Sequence, residues 1–270
     1  MKYAVLSDIH GNLEALTVTL DKCKEVGVEK YIILGDVVGY NSNPHECLEI
    51  IRALDVVGWI KGNHDEYASN GDDEMEGFNP HAKNAVFWTR NNLTEEELEF
   101  LRKRPMRQTV REANATIVHA TLDSPEAWGY VFDSHHAADN FSYQFTQLCF
   151  CGHSHVPIAF CKKPVTLRAS KPIEEIPEWA FLRHEGILPK DPNVADSIPL
   201  DLEQGWKYLI NVGSVGQPRN RDPRASFAVL DTDNKRCVRH RVPYDIEATQ
   251  AKIRATDLPE KLASRLETGN

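Results

Sequence analysis

Three apolar runs near the start of the chain each end in a short turn carrying residues that bind metals or move protons. Residues 3–6 run into Ser7-Asp8-Ile9-His10-Gly11-Asn12, and residues 30–34 into Gly35-Asp36-Val37-Val38-Gly39-Tyr40. Residues 56–60 run into Lys61-Gly62-Asn63-His64-Asp65. Unbroken apolar stretches of this length suit strands buried on both faces of a parallel sheet. Helical segments are expected between them. Residues 13–26 carry Leu13, Leu16, Leu20 and Cys23 on one face, and residues 44–54 carry Cys47, Leu48, Ile51 and Leu54. A right-handed βαβαβ layer sets all three turns along its carboxyl edge, where open α/β sheets hold ligands.

The pattern recurs further on. Residues 107–111 and 115–119 read as neighbouring strands, the second ending in His119. Residues 147–151 are closed by Gly152-His153-Ser154-His155-Val156-Pro157, and residues 206–211 lead to Gly213-Ser214-Val215-Gly216-Gln217-Pro218-Arg219. Helices are predicted over Pro80–Asn91 and over 94–103, the latter with Thr94 and Glu97 at capping-box spacing. Ala225–Asp231 and Arg236–Val242 form a hairpin, and residues 246–266 are helical with a break at Pro259. Residues 71–77 read as an acidic loop, 122–147 as an aromatic excursion over the site, and 162–206 as strands joined by long surface connections. With no repeat, low-complexity segment or linker, one α/β domain is expected over residues 1–270.

Composition narrows the function. A formal net charge of −9 argues against long nucleic acid, which needs a basic footprint. The six cysteines have no zinc-ribbon spacing, and Cys149 and Cys151, flanked by Leu148 and Phe150, read as small apolar residues of a core strand. Reduced thiols, no signal-peptide pattern and no apolar run of transmembrane length point to the cytoplasm and away from membranes. Homo-oligomerisation stays open.

The residues that end strands are Asp8, His10, Asp36, Asn63, His64, His119, His153 and His155. Two carboxylates, one amide and four imidazoles supply two metal ions, with His64 left over. Two cations close together repel unless anionic oxygen lies between them. Asp36, on the middle of the three turns, is the expected bridge. One ion takes Asp8, His10 and His155, the other Asn63, His119 and His153. Oxygen and imidazole donors suit two divalent or mixed-valence transition-metal ions, Mn, Fe, Zn or Ni.

These motifs, Asp8-Ile9-His10, Gly35-Asp36, Gly62-Asn63-His64-Asp65, His119 and Gly152-His153-Ser154-His155, resemble the signature of the calcineurin-like metallophosphoesterase superfamily. The stretches 35–40 and 213–219, with Val242-Pro243-Tyr244-Asp245 and Leu258-Pro259, resemble its compact bacterial and archaeal branch. The resemblance implies a four-layer αββα sandwich of two mixed sheets, a dinuclear centre with the ligand set just given, and hydrolysis of phosphate esters. The chain also departs from the superfamily. Its phosphoprotein phosphatases carry Asp-Arg three and four residues after the bridging aspartate, where this chain has Gly39 and Tyr40.

The reaction expected is attack of a metal-bridging hydroxide on phosphorus. His64, following a ligand but not needed as one, is the expected proton donor to the leaving oxygen, with Asp65 beside it. Arg219 and Arg221 are candidates for gripping phosphate. The turn amides around Ser214 and Gln217 could hold an anion. Trp128, Tyr130, Phe132, His135 and His136 are candidates for a base- or sugar-stacking wall. A phosphodiesterase acting on small nucleotide-type substrates is the leading expectation. Its alternatives are a phosphomonoesterase acting on nucleotides or phosphoproteins, and a binding protein on a dead esterase fold, which the intact ligand set disfavours. Labelled duplex DNA titrated at moderate salt should bind weakly; submicromolar, steeply salt-dependent affinity would move the reading to a nuclease.

Overall fold

A computed structural model describes residues 1–71, 74–75, 77–164, 172–176, 179 and 191–270. The first third contains β1 (Lys2–Leu6), α1 (Leu13–Glu25), β2 (Lys30–Ile33), α2 (Pro44–Arg52), β3 (Val56–Trp59), α3 (Asn63–Asn70), α4 (Pro80–Asn91) and α5 (Glu95–Arg102). Next come β4 (Arg107–Val110), β5 (Ala115–Val118), α6 (Ser134–Tyr143), β6 (Leu148–Cys151), β7 (Ile158–Lys162) and β8 (Ile173–Glu175). The rest is β9 (Asp196–Asp201), β10 (Lys207–Asn211), β11 (Ala225–Asp231), β12 (Arg236–Val242), α7 (Ile246–Arg254) and α8 (Glu260–Ser264).

The strands form two six-stranded mixed sheets, ordered β3-β2-β1-β11-β12-β9 and β4-β5-β6-β10-β7-β8. Side-chain alternation explains why they stack. In β1, Tyr3 and Val5 face the second sheet, packing in one core with Ile117, Phe150 and Ile210, while Ala4 and Leu6 face the helices. On that outer side, Leu16 of α1 and Leu48 and Ile51 of α2 cover the sheet. The outer face of the second sheet, through Cys149, Cys151 and Leu209, is covered by Ala137 and Phe141 of α6. The layers are therefore αββα. Fully burying one side chain such as Phe150 contributes about 1.5–3 kcal/mol, so the shared core holds the two sheets in a fixed relation.

That relation positions the site. Strands β1, β2 and β3 run parallel, as do β5, β6 and β10. Their carboxyl ends carry the turns at 7–12, 35–40, 61–65, 119–122, 152–157 and 212–219. Two turns are pinned together by Asp8 N–H donating to Gly35 O (3.1 Å) and His10 N–H donating to Asp36 O (2.9 Å).

Most expected elements are observed, and the differences have local causes. Helix α3 was not expected, because Asn63–Asn70 has no apolar periodicity and its first turn is built around the carboxylate of Asp65. Strand β4 stops at Val110 and gives way to a 3-10 turn, Arg111–Ala113. All six cysteines are free and buried. Parts of the expected 71–77 loop and of the 162–206 connections lie outside the described residues. No helix of the described residues is long and apolar enough to cross a membrane.

Gly35 shows how closely the turns approach. Its φ is +93°, and a Cβ there would stand 2.2 Å from the backbone nitrogen of Gly62. Gly71 shares the left-handed backbone, at φ +78°, but a Cβ there meets nothing within 4 Å. In chemical denaturation Gly71→Ala should cost about 1–2 kcal/mol, the left-handed penalty alone. Gly35→Ala should cost about 4 kcal/mol or more, since backbone must also move; equal losses would contradict this packing.

Candidate metal centre

The donor atoms converge from both sheets. Asp8 Oδ1 lies 3.2 Å from His155 Nε2, 3.8 Å from His10 Nε2 and 3.9 Å from His119 Nε2. Asp36 Oδ2 lies 3.3 Å from His119 Nε2 and 3.6 Å from His10 Nε2. Among the described residues, potential ligand atoms within 4.8 Å of one another form three groups: Asp8-His10-His155, Asp8-Asp36-His119 and His10-Asp36-His64. His153 adjoins the cluster through His119, with ring centroids 5.1 Å apart. Asn63 is buried at the start of α3.

Backbone carbonyls fix the imidazoles of His10, His119, His153 and His155. His10 Nδ1 pairs with Val38 O (2.9 Å), His119 Nδ1 with Leu34 O (2.7 Å) and His155 Nδ1 with Gln217 O (2.6 Å). His153 is reversed, pairing Nε2 with Trp128 O (2.8 Å). A carbonyl only accepts, so each ring must donate N–H there, which leaves its other nitrogen as a lone-pair donor. Asp8 Oδ2 accepts from Ser7 Oγ (2.6 Å) and His153 N–H (3.1 Å), and Asp36 Oδ1 accepts from His64 N–H (2.8 Å). One oxygen of each carboxylate is thus anchored and the other faces the imidazoles.

The residues fit a metal. Asp8 Oδ1, Asn63 Oδ1 and His119 Nε2 are buried without a hydrogen bond, a costly arrangement that a cation would relieve. Burial lowers His10 and His155 and takes His153 down to about 3. His119 behaves differently: burial opposes charge, but Asp36 and Asp8 prevail and raise it to about 9. Against their own burial, Asp36 and Asp8 are held as carboxylates mainly by His119 and His155 respectively.

The two residues after Asn63 have different surroundings. Asp65, expected beside His64 as a catalytic partner, faces away from that ring. Its Oδ2 accepts from Asp36 N–H (2.7 Å) and Gly62 N–H (3.1 Å), and its Oδ1 from Val37 N–H (3.0 Å) and Val38 N–H (3.3 Å). Burial and then Asp36 push its pKa up to about 7, yet all four acceptor positions are used, which requires the carboxylate. It shapes the bridging turn. His64 lies 2% exposed, its Nδ1 buried without a partner. A Cβ at residue 39 would stand 2.5 Å from that atom, so glycine is what admits the ring. Tyr40 packs on its face, centroids 4.3 Å apart. Burial, with help from Arg219, takes His64 down to about 4.

The two arginines separate. Arg219 is half-buried, bonded to Gln217 Oε1 (2.9 Å), with its guanidinium 5.4 Å from the Tyr40 ring centre. Its loop is anchored by Asp222, which Arg224 grips with bonds of 2.9 and 2.6 Å and Arg241 approaches at 3.0 Å. Arg221 is exposed with φ 61°, and its backbone N–H donates to Gly269 O. Among the described residues no contact joins it to the site, so the structure does not place it as a phosphate ligand. The expected anion nest is also absent: the amides of Val215, Gly216 and Gln217 donate to Ser7 O, Asp8 O and Ser214 Oγ.

Within 122–147, Trp128 and Tyr130 border the ligands, the Tyr130 ring stacking on His153 at 4.4 Å and 17°. Phe132 stacks on Tyr130, whereas His135 and His136 sit on the exposed first turn of α6. Sequence reasoning missed Ser7 and the four carbonyls that hold the imidazoles. Main-chain acceptors leave no residue-type signal. Because Asp36 meets both His10 and His119, Asp36→Asn should lose at least one bound metal with the fold retained. Metal analysis with circular dichroism checks this, and two fully occupied ions would contradict it.

The family model for the calcineurin-like phosphoesterase superfamily domain matches residues 1–170. The chain is 36% identical over 268 residues to an uncharacterised protein of Methanocaldococcus jannaschii, covering 98% of this chain and 97% of that one. It resembles the crystal structure of a metallophosphoesterase from Sphaerobacter thermophilus with a TM-score of 0.78 and 35% identity, over 100% of this chain and 99% of that one. A hypothetical protein from Pyrococcus horikoshii shares the fold, with a TM-score of 0.73 at 22% identity over 100% and 98% of the two chains. The chain belongs to the calcineurin-like phosphoesterase superfamily and is a hydrolase of phosphoric ester bonds.

Proposed function

We propose that this protein is a phosphodiesterase for small nucleotide-type substrates, served by two divalent or mixed-valence transition-metal ions. The observation that carries the reading is the pair of buried carboxylates, Asp8 and Asp36, each with one anchored oxygen and one oxygen among imidazoles of both sheets. Asp8, His10 and His155 would hold one ion, Asn63, His119 and His153 the other, with Asp36 shared. Mn, Fe, Zn or Ni suits donors of this kind. Such ions, when bound, activate water near neutral pH and neutralise phosphoryl charge.

The chain's own residues then divide the work. Arg219 is the guanidinium beside Tyr40 that would receive a phosphoryl oxygen. His64 would give a proton to the leaving oxygen through Nε2, since Nδ1 is buried against Gly39; with its pKa down at about 4 it is a strong acid that only a small fraction of molecules carry protonated at neutral pH. Asp65 would keep the 36–38 turn in shape. Gly39 and Tyr40 stand where the superfamily's phosphoprotein phosphatases carry an acid and an arginine, which argues against phosphoprotein substrates. Six free thiols support a cytoplasmic setting.

Turnover of bis(4-nitrophenyl) phosphate and of 4-nitrophenyl phosphate, across the four metals, tests the reading. The diester should show the higher kcat/KM; a consistent monoester preference overturns it. In the same assay His64→Ala should keep both metals and lose about 10²–10⁴-fold on an ester with a ribose leaving group. It should lose distinctly less on the nitrophenyl ester, whose leaving group needs no proton. Loss of a metal would instead make His64 a ligand, as its closeness to His10 and Asp36 allows.

A further inference from the structure

Tyr40 links the candidate centre to the 3-10 turn Arg265–Thr268. Its ring meets those of His64 and His10, with centroids 4.3 and 4.6 Å away, and it shares an apolar cluster with Ala263 and Leu266. Arg265 lies between those two residues in the chain and is half-buried. A second contact joins the same parts of the molecule. Arg221 N–H donates to Gly269 O (2.8 Å), and a Cβ on Gly269 would stand 2.7 Å from the backbone of Asp222. The turn that carries Arg219 is therefore docked on the turn that carries Arg265, and the Arg219 guanidinium lies 5.4 Å from the Tyr40 ring centre.

Neither arginine is matched by an acidic side chain. Among the described residues, Arg219 donates to Gln217 Oε1 and Arg265 Nε to Asn270 O, and neither forms an ion pair with an aspartate or glutamate. Arg219 Nε is buried without a hydrogen bond. Arg224 and Arg241 nearby are held differently, both pairing with Asp222. Burial and then Arg219 bring the Arg265 guanidinium down to about 10, while Tyr40 acts the other way. Two like charges held close together repel unless an anion lies between them, and guanidinium forks suit phosphate.

Resting on the diesterase reading, we propose that Arg265 is a further substrate-binding residue that completes, with Arg219, a two-guanidinium subsite for a second phosphate of the substrate. Arg219 serves both phosphates and Arg265 the second alone. The substrate class is thereby narrowed to esters one arm of which carries a further phosphate, joined directly or across a sugar. A net charge of −9 repels such a substrate at long range, which local cations of this kind offset.

Three nucleotides separate the cases: thymidine 5′-monophosphate, thymidine 5′-diphosphate and thymidine 3′,5′-bisphosphate, each tested as an inhibitor of bis(4-nitrophenyl) phosphate turnover by the metal-loaded enzyme. In wild type at least one doubly phosphorylated nucleotide should inhibit more tightly than the monophosphate, and which one does so tells how the second phosphate is joined. Arg265→Gln should shrink that advantage on the order of tenfold or more, the scale of a charge-assisted hydrogen bond. Arg265→Lys, which keeps the charge, should shrink it less. No advantage in wild type overturns the proposal. So does an advantage that survives Arg265→Gln, which would belong to the metal ions. An equal loss for all three nucleotides also overturns it, since Arg265 would then only brace its turn. If wild type does not turn over the diester, the diesterase reading falls, and thermal protection by the same three nucleotides decides this one by the same ratios.

Discussion

Three carboxylates, Asp8, Asp36 and Asp65, are buried at 1% exposure or less within one small region, and the rest of the site answers to that fact. Burying an anion costs several kcal/mol unless hydrogen-bond donors or cations meet it. Asp65 is met completely, by four amides of the turns that it joins. Asp8 and Asp36 are met on one oxygen only, and their other oxygens face imidazoles that are themselves held by carbonyls. The first is a finished structural knot and the other two are an unfinished one, which gives the region its affinity for cations.

Such a site demands unusual backbone. Asp8, His10, Asp36, Tyr40, His153 and His155 all have φ between 51° and 65°, a region that costs non-glycine residues of order 1–3 kcal/mol each. Those residues would not hold this shape in isolation. They hold it because each lies in a turn that follows a strand whose register is set on both sides, as β1 is by β2 and β11. The large inter-sheet core is what keeps the strained turns in place.

Much of this was legible in the sequence, for a physical reason. A strand buried on both faces must be apolar throughout, so the polar residue that ends it stands out, and Asp8, Asp36, His119 and His153 were found that way. The same logic is silent about α3, whose residues show no periodicity, and about Val38, Leu34, Gln217 and Trp128, which act through carbonyls that every residue possesses. Adjacency misled twice. Asp65 follows His64 directly, but successive residues on a helix point about 100° apart, which sends its carboxylate beneath the turn. Arg221 lies two residues from Arg219, but its left-handed backbone turns it to solvent.

The pairing of β1 with β11 joins Lys2 to Asp231, so the strand that leads to Asp8 and His10 is completed by a partner made long after it in synthesis. On a ribosome the β1–β3 layer emerges before that partner, with β1 open along one whole edge. An open strand edge is a template for foreign chains, and closing so long a loop is slow. Until β11 arrives, the growing chain exposes an adhesive edge and half of a metal site. Its most vulnerable moment therefore belongs to its birth and not to its working life.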